Sequence, residues 1–206
     1  MKAVLVLGVA AVLAGSAPPT PRFVGGIWKV SAAELRHSYR AGCPVGPAQL
    51  RRLEVSHWDF AGRRRVGSII VQAREARDVL SVFRKLYAAR FPIRRLRPVE
   101  AYKGSDDASM AADNTSGFNC RFVSGTRRWS QHAYGRAIDV NPVENPYVDG
   151  GRVRPPSGRR YLNRSRARPG MVVAGDVAVR AFASIGWSWG GRWSSPDYQH
   201  FSATGS

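Results

Sequence analysis

The chain has 206 residues, 44% of them apolar, which is enough to bury one sizeable core and gives no sign of a second. Its 32 lysines and arginines outweigh 14 carboxylates, for a formal charge of +18, so anions are its natural partners. The only long apolar run falls short of the roughly 20 residues that cross a bilayer, which argues against a stable membrane span.

That run opens the chain. Lys2 precedes uninterrupted apolar residues from Ala3 to Leu13, and Ala14, Gly15, Ser16 and Ala17 close it, the pattern of a cleaved export signal over 1–17. A lipid-anchored protein would want cysteine where Ser16 stands. Export redirects the charge argument: outside a cell the available anions are cell-wall polymers and lipid headgroups, and nucleic acid is not expected. A compositional bias would scatter arginines in the same way, as at Arg63 to Arg65, Arg94, Arg95, Arg97, Arg159 and Arg160. Cys43 and Cys120 make an even count, which in an exported chain favours one bridge, worth at most about 4.5 kcal/mol. The alternative is two unrelated buried thiols.

Residues 17–26, rich in Pro and Gly, read as a loose leader. Leu53, Val55 and His57 alternate with Glu54, Ser56 and Trp58 as in a strand, and Val66 to Gln72 is its hairpin partner across a turn at Gly62. Between Arg74 and Arg90, Val79, Leu80, Val82, Phe83, Leu86 and Tyr87 recur at helical spacing with basic residues opposite, which predicts an amphipathic helix. Pro92 stops it, and Ile93 to Tyr102 reads as a strand. Lys103 to Arg128 and Asn145 to Gly170 read as long polar loops, the kind that carry function. Between them Ala137 to Val140 is a short strand. Asp176 is placed to cap a helix running to Ile185, with Gly186 as its stop, and Asp197 to Ser202 closes the fold as a strand.

The chemistry concentrates in two segments. In Ser130-Gln131-His132-Ala133-Tyr134-Gly135-Arg136-Ala137-Ile138-Asp139, Gly135 permits a bend after His132. The extended chain beyond it puts Ala137 and Asp139 on one face and Ile138 and Val140 on the other. His132 and Asp139 can then converge, and small Ala137 leaves room for an ion between an imidazole and a carboxylate, both good zinc ligands. In the second segment, Gly186-Trp187-Ser188-Trp189-Gly190-Gly191-Arg192-Trp193 and then Asp197-Tyr198-Gln199-His200-Phe201, His200 is the candidate third ligand. Asp197 stands three residues before it, placed as a base for water on the metal. Taken singly each piece recurs by chance, and Trp187, Trp189 and Trp193 read equally as core or rim aromatics.

Together, Ser-x-His-x-x-x-Gly-x-Ala-x-Asp, Gly-Trp-x-Trp-Gly-Gly and Asp-x-x-His-Phe resemble the zinc D-alanyl-D-alanine carboxypeptidase family, which also holds L-alanyl-D-glutamate endopeptidases. The resemblance runs from about Leu53 to Ala203. It implies an α+β Hedgehog/DD-peptidase-like fold, a small antiparallel sheet flanked by helices, with a zinc peptidase domain over 53–206 after an N-terminal extension over 18–52. It implies one Zn2+ ion on His132, Asp139 and His200, with Asp197 as acid/base and peptidoglycan stem peptides as substrate. Aspartate at the base position matches the endopeptidase branch, whereas several carboxypeptidase relatives carry glutamate there. The family also holds the substrate carbonyl or carboxylate with a cationic residue, for which Arg121 is the candidate, and a Cys43–Cys120 bridge would pin its loop. Ser130, Trp187 and Trp189 are expected to line or support the site. A zinc-stabilised wall-binding module without hydrolysis is the alternative, and a charge-driven nucleic-acid binder is a third. A zinc endopeptidase class with a C-terminal His-x-His is disfavoured, because Phe201 and Ser202 follow His200.

Overall fold

The computed structural model describes residues 21–205, so the export signal expected over 1–17 lies outside the described residues. Among these the fold is mixed helix and strand, with small antiparallel sheets and helices packed on them, as the α+β expectation has it.

The first sheet has the order β1-β2-β3, from Gly25–Lys29, Leu50–Trp58 and Arg64–Gln72, all antiparallel. The expected hairpin is present, with Leu53 opposite Ile69, and its turn is closed by the Asp59 carboxylate, which accepts from the Ala61 and Arg63 amides at 2.9 Å. Leu53, Val55, Ile69 and Val71 face helix α1, Ala76–Ala88, and pack on its Val79, Val82, Phe83 and Leu86. Each such buried side chain contributes about 1.5–3 kcal/mol. The other face is covered too, where Leu50 and Ile70 join Val30, Leu35, Val45 and Phe118. At the other end of β2 Ser56, His57 and Trp58 are all buried, so the alternation read from the sequence fails there: Ser56 Oγ accepts from the Val24 amide at 3.0 Å, and Trp58 stacks on Tyr87 and donates to its carbonyl at 2.9 Å.

The loose leader is corrected at its end. Gly25 and Gly26 pair with Val55 and Glu54, and a Cβ on Gly25 would meet Leu80 of α1 at 2.7 Å. The glycine that suggested a loop is what lets a strand lie against the helix. The long strand expected over 93–102 shrinks to β4, Arg95–Leu96, because Pro98 has no amide to continue the ladder and Val99–Tyr102 turns as a 3-10 helix. The polar stretch that follows is not structureless. Ser105 caps the short helix α2, Asp106–Ala111, by accepting from the Ala108 amide at 3.2 Å, and β5, Asn114–Thr115, pairs with β4 in parallel. Likewise Asn145 to Gly170 contains a hairpin of β7, Tyr147–Asp149, and β8, Arg152–Arg154, turning at Gly150 and Gly151, then a 3-10 turn at Pro156–Tyr161.

The second three-stranded sheet has the order β6-β10-β9, from Ala137–Asp139, His200–Ser202 and Ser188–Trp189. Helix α3, Val177–Ala183, backs it, with Asp176 accepting from the Val179 amide at 2.8 Å as its cap and Gly186 at φ +78 beyond its end. Phe182 of α3 stacks on Phe201 of β10 at 4.0 Å, in the same core that holds α1. Cys43 and Cys120 form a disulfide with Cα atoms 6.0 Å apart, tying the segment before β2 to the strip that precedes the chemistry-bearing motif.

Candidate metal centre

Ser130 opens a 3-10 turn over Gln131–Tyr134, its hydroxyl accepting from the His132 amide at 3.3 Å. Gly135 ends the turn at φ +65, in a space where a Cβ would lie 2.6 Å from the Gln72 amide nitrogen, so the bend needs glycine on both counts. The chain then enters β6. Antiparallel pairing sets His200 of β10 directly opposite Asp139 of β6, and the bend returns His132 to the same spot.

The three side chains meet. His132 Nε2 lies 3.1 Å from Asp139 Oδ2, His200 Nδ1 lies 3.0 Å from Asp139 Oδ1, and the two imidazole nitrogens are 3.3 Å apart. All three residues are buried, with candidate ligand atoms within 4.8 Å of one another. Four ligands about 2.0–2.1 Å from a tetrahedral zinc stand about 3.3 Å apart, so the donor set and its spacing suit that ion. The far nitrogen of His132, Nδ1, contacts the Gly117 carbonyl at 2.7 Å. A proton there donates to that oxygen and leaves Nε2 with a lone pair toward Asp139 and His200. Gly117 itself can only be glycine, since a Cβ would sit 2.4 Å from the Ile70 carbonyl.

Burial works against charge on Asp139, yet the charges and hydrogen bonds of His132 and His200 override it and hold the carboxyl well below the usual carboxylate range. Burial likewise opposes a charged His132, and Asp139 reverses that, leaving its pKa above the ordinary imidazole value. Asp197 goes the other way. Burial first and the like charge of Asp139 second push its carboxyl up to about 7, against His200 and Gln199. Asp197 as a residue is partly exposed, but its Oδ1 is shut off from solvent without a hydrogen-bond partner, as is His200 Nε2. Its backbone is seated by the glycine turn. The Asp197 amide donates to the Gly190 carbonyl at 3.0 Å, and a Cβ on Gly190 would crowd the Asp197 carbonyl at 2.9 Å.

The aromatic residues divide. Trp187 is buried in the main core, stacked on Phe182, and Trp189 donates its indole N–H to the Tyr198 carbonyl at 2.8 Å. Trp193 is the one beside the cluster, its ring centroid 5.3 Å from that of His200. Nothing in the spacing of the three tryptophans singled it out. Arg121 reaches the surroundings of the cluster: its charge lowers the His132 pKa, and its Nη2 lies 3.0 Å from Asp106 Oδ2. Asp106 escaped the sequence reading because α2 lay in a stretch with no periodicity.

No curated protein and no solved structure matches the chain. The resemblance read from the motifs is nevertheless borne out over the segment that holds His132, Asp139, Asp197 and His200: residues 124–203 match the family model described as D-alanyl-D-alanine carboxypeptidase.

Proposed function

We propose that the protein is an exported zinc peptidase that hydrolyses peptide bonds in peptidoglycan stem peptides. One observation carries the reading: the buried side chains of two histidines and an aspartate bring their ligand atoms within 4.8 Å of one another, beside a second carboxyl whose pKa is raised to about 7. The family match over these same residues supports the substrate class, and the 1–17 segment together with the formal charge of +18 supports a place at the cell wall, near anionic polymers.

His132, Asp139 and His200 hold the ion in this reading. A zinc ion there supplies a Lewis acid and lowers the pKa of a water ligand to about 7. Asp197 takes the proton released as water adds to the scissile carbonyl carbon, then gives it to the leaving amine as the C–N bond breaks. A carboxyl near pKa 7 suits both halves of that transfer at neutral pH. Arg121, on the rim, meets the negative charge of the substrate carbonyl or carboxylate. Trp193 walls the cluster beside His200. Asp197 at the base position favours the endopeptidase branch over removal of a terminal D-alanine.

The test is digestion of purified muropeptides and D-Ala-D-Ala peptides by the zinc-loaded protein, read by mass spectrometry. A new amine and a new carboxylate at one stem-peptide bond, absent with His132→Ala, is the expected result, and the mass identifies the bond. Intact substrates in both cases would sink the reading.

A further inference from the structure

Resting on that function, we infer that Asp106 is the positioning residue for Arg121, holding the guanidinium at the rim of the metal cluster so that it meets the substrate in one fixed orientation. The observation is a chain of contacts from a helix start to the cluster. Asp106 is the first residue of α2, and Ser105 fixes that start by capping the helix. Its Oδ2 lies 3.0 Å from Arg121 Nη2. Both side chains are about a third exposed or less, at 27% and 30%, so the pair is partly shielded from solvent. The Arg121 carbonyl accepts from the Ser130 amide at 3.1 Å, which sets the arginine beside the segment that carries His132.

The backbone on the arginine side is already fixed. Cys120 is held by the disulfide and by its amide's bond to the Ser38 carbonyl at 2.8 Å, and the Asn119 amide donates to the His132 carbonyl at 3.1 Å. Arg121 therefore cannot move relative to the metal ligand through its main chain. What remains free is its long side chain, which Phe122's carbonyl touches only at 3.5 Å. Arg121 Nε is buried with no hydrogen-bond partner, which leaves the Asp106 contact as the strong restraint on the fork. A guanidinium loses side-chain freedom when it binds a carboxylate or an oxyanion, and a neighbouring aspartate that orders it beforehand removes much of that cost. Asp107 next to Asp106 has the same chemistry, but the Arg121 contact belongs to Asp106.

The experiment compares Asp106→Ala, Asp106→Asn, Asp106→Glu, Arg121→Ala and the Asp106→Ala/Arg121→Ala double variant in the full chain. Three quantities are read: zinc per chain, turnover of muropeptides, and the arginine Nη–H signals in 1H–15N NMR, with Arg121 assigned by its loss in Arg121→Lys. The expected result is kcat/KM lowered about 10- to 100-fold in Asp106→Ala and Asp106→Asn with zinc content unchanged, most of it recovered in Asp106→Glu. The double variant should be no slower than Arg121→Ala within about twofold, since the two residues act as one unit. The Arg121 Nη–H signals should exchange slowly in the native chain and in Asp106→Glu, and rapidly in Asp106→Ala, since the contact is made by Nη2. Additive losses, or protected Nη–H signals in Asp106→Ala, would overturn the inference. A native chain that cleaves nothing would remove the proposed reaction, and the Nη–H measurement would still decide whether Asp106 orders Arg121.

Discussion

Asp139 and Asn141 are two residues apart, yet they face polar clusters of opposite character. On the Asn141 side, the side chain accepts from the Arg94 amide at 3.1 Å and donates to the Pro92 and Gly170 carbonyls at 2.8 and 3.1 Å. Arg94 pairs with Asp113 at 2.9 Å and Glu144 at 3.0 Å, and Arg164 donates to Asn145 Oδ1 at 2.9 Å. Here the chain brings its own cations inside. On the Asp139 side, two imidazoles and two carboxyls are enclosed, and Asp139 finds only the imidazoles as ion-pair partners among the described residues. The first cluster closes on arginines of the chain itself, and the second gathers a His, Asp, His donor set that could hold a metal ion.

Metal removal breaks the comparison most sharply. A chelator should lower both turnover and melting temperature, because an ion that binds only the folded chain stabilises it by mass action. His200→Ala should abolish metal uptake in the same way. Arg94→Ala should leave zinc per chain unchanged, and loss of zinc in that variant would show that the two clusters are one. Next in size is Asp197→Ala, for which turnover should fall about 100- to 10,000-fold while zinc per chain is retained. Retained turnover would remove Asp197 as the base, whereas a native chain that binds zinc and cleaves nothing would leave a metal-stabilised binding module as the better description.

The metal cluster was legible in the sequence and much of its frame was not, for a common reason. His132, Asp139 and His200 are tied to bends and strands whose residues have strict geometric needs, such as Gly135 at φ +65 with no space for a Cβ, and those needs show as fixed spacing. Helices α1 and α3 were equally readable, because an apolar stripe over several turns repeats often enough to see. The two-residue strands β4 and β5 repeat nothing, and Asn114 does part of their pairing with its side chain, accepting from the Arg97 amide at 3.0 Å and donating to the Arg97 carbonyl at 2.9 Å. Such pairing leaves no period in the sequence. Trp187 and Trp189 show the converse, a visible motif whose indoles turn inward, while Trp193 beside His200 has no distinguishing spacing.

Arg94→Ala tests the scaffold cluster itself. It strips the cation from two buried carboxyls and removes the guanidinium that lies 3.9 Å from the Phe60 ring centroid. Breaking a fully buried pair costs about 3–5 kcal/mol, but the Arg94 side chain is 39% exposed, so about 2 kcal/mol is expected in denaturant unfolding. Glu144→Gln added to that variant should change little near pH 5, because the loss of Arg94 favours the protonated Glu144 carboxyl still further.

The smallest effect is the most diagnostic, because its sign depends on pH. Burial, then the hydrogen bond and charge of Asp113, lift the Glu144 carboxyl to about 7 in spite of Arg94. Its ordinary value is 4.5, so between these two pH values the folded chain keeps a proton that the unfolded chain has released. More protons on the folded state means that stability falls as pH rises. The contribution is complete below about pH 4.5 and is lost as pH passes through about 7. Glutamine imitates the protonated acid at every pH. Glu144→Gln should therefore match the native chain near pH 5 and exceed it by about 1–2 kcal/mol near pH 8, part of the gain being offset by the lost pairing with Arg94. Using the difference between variant and native chain cancels the titration of Asp139, which belongs to the candidate metal site. A difference that stays flat from pH 5 to 8 would mean that Arg94 already holds Glu144 ionised, making this cluster as closed electrostatically as the metal cluster is open.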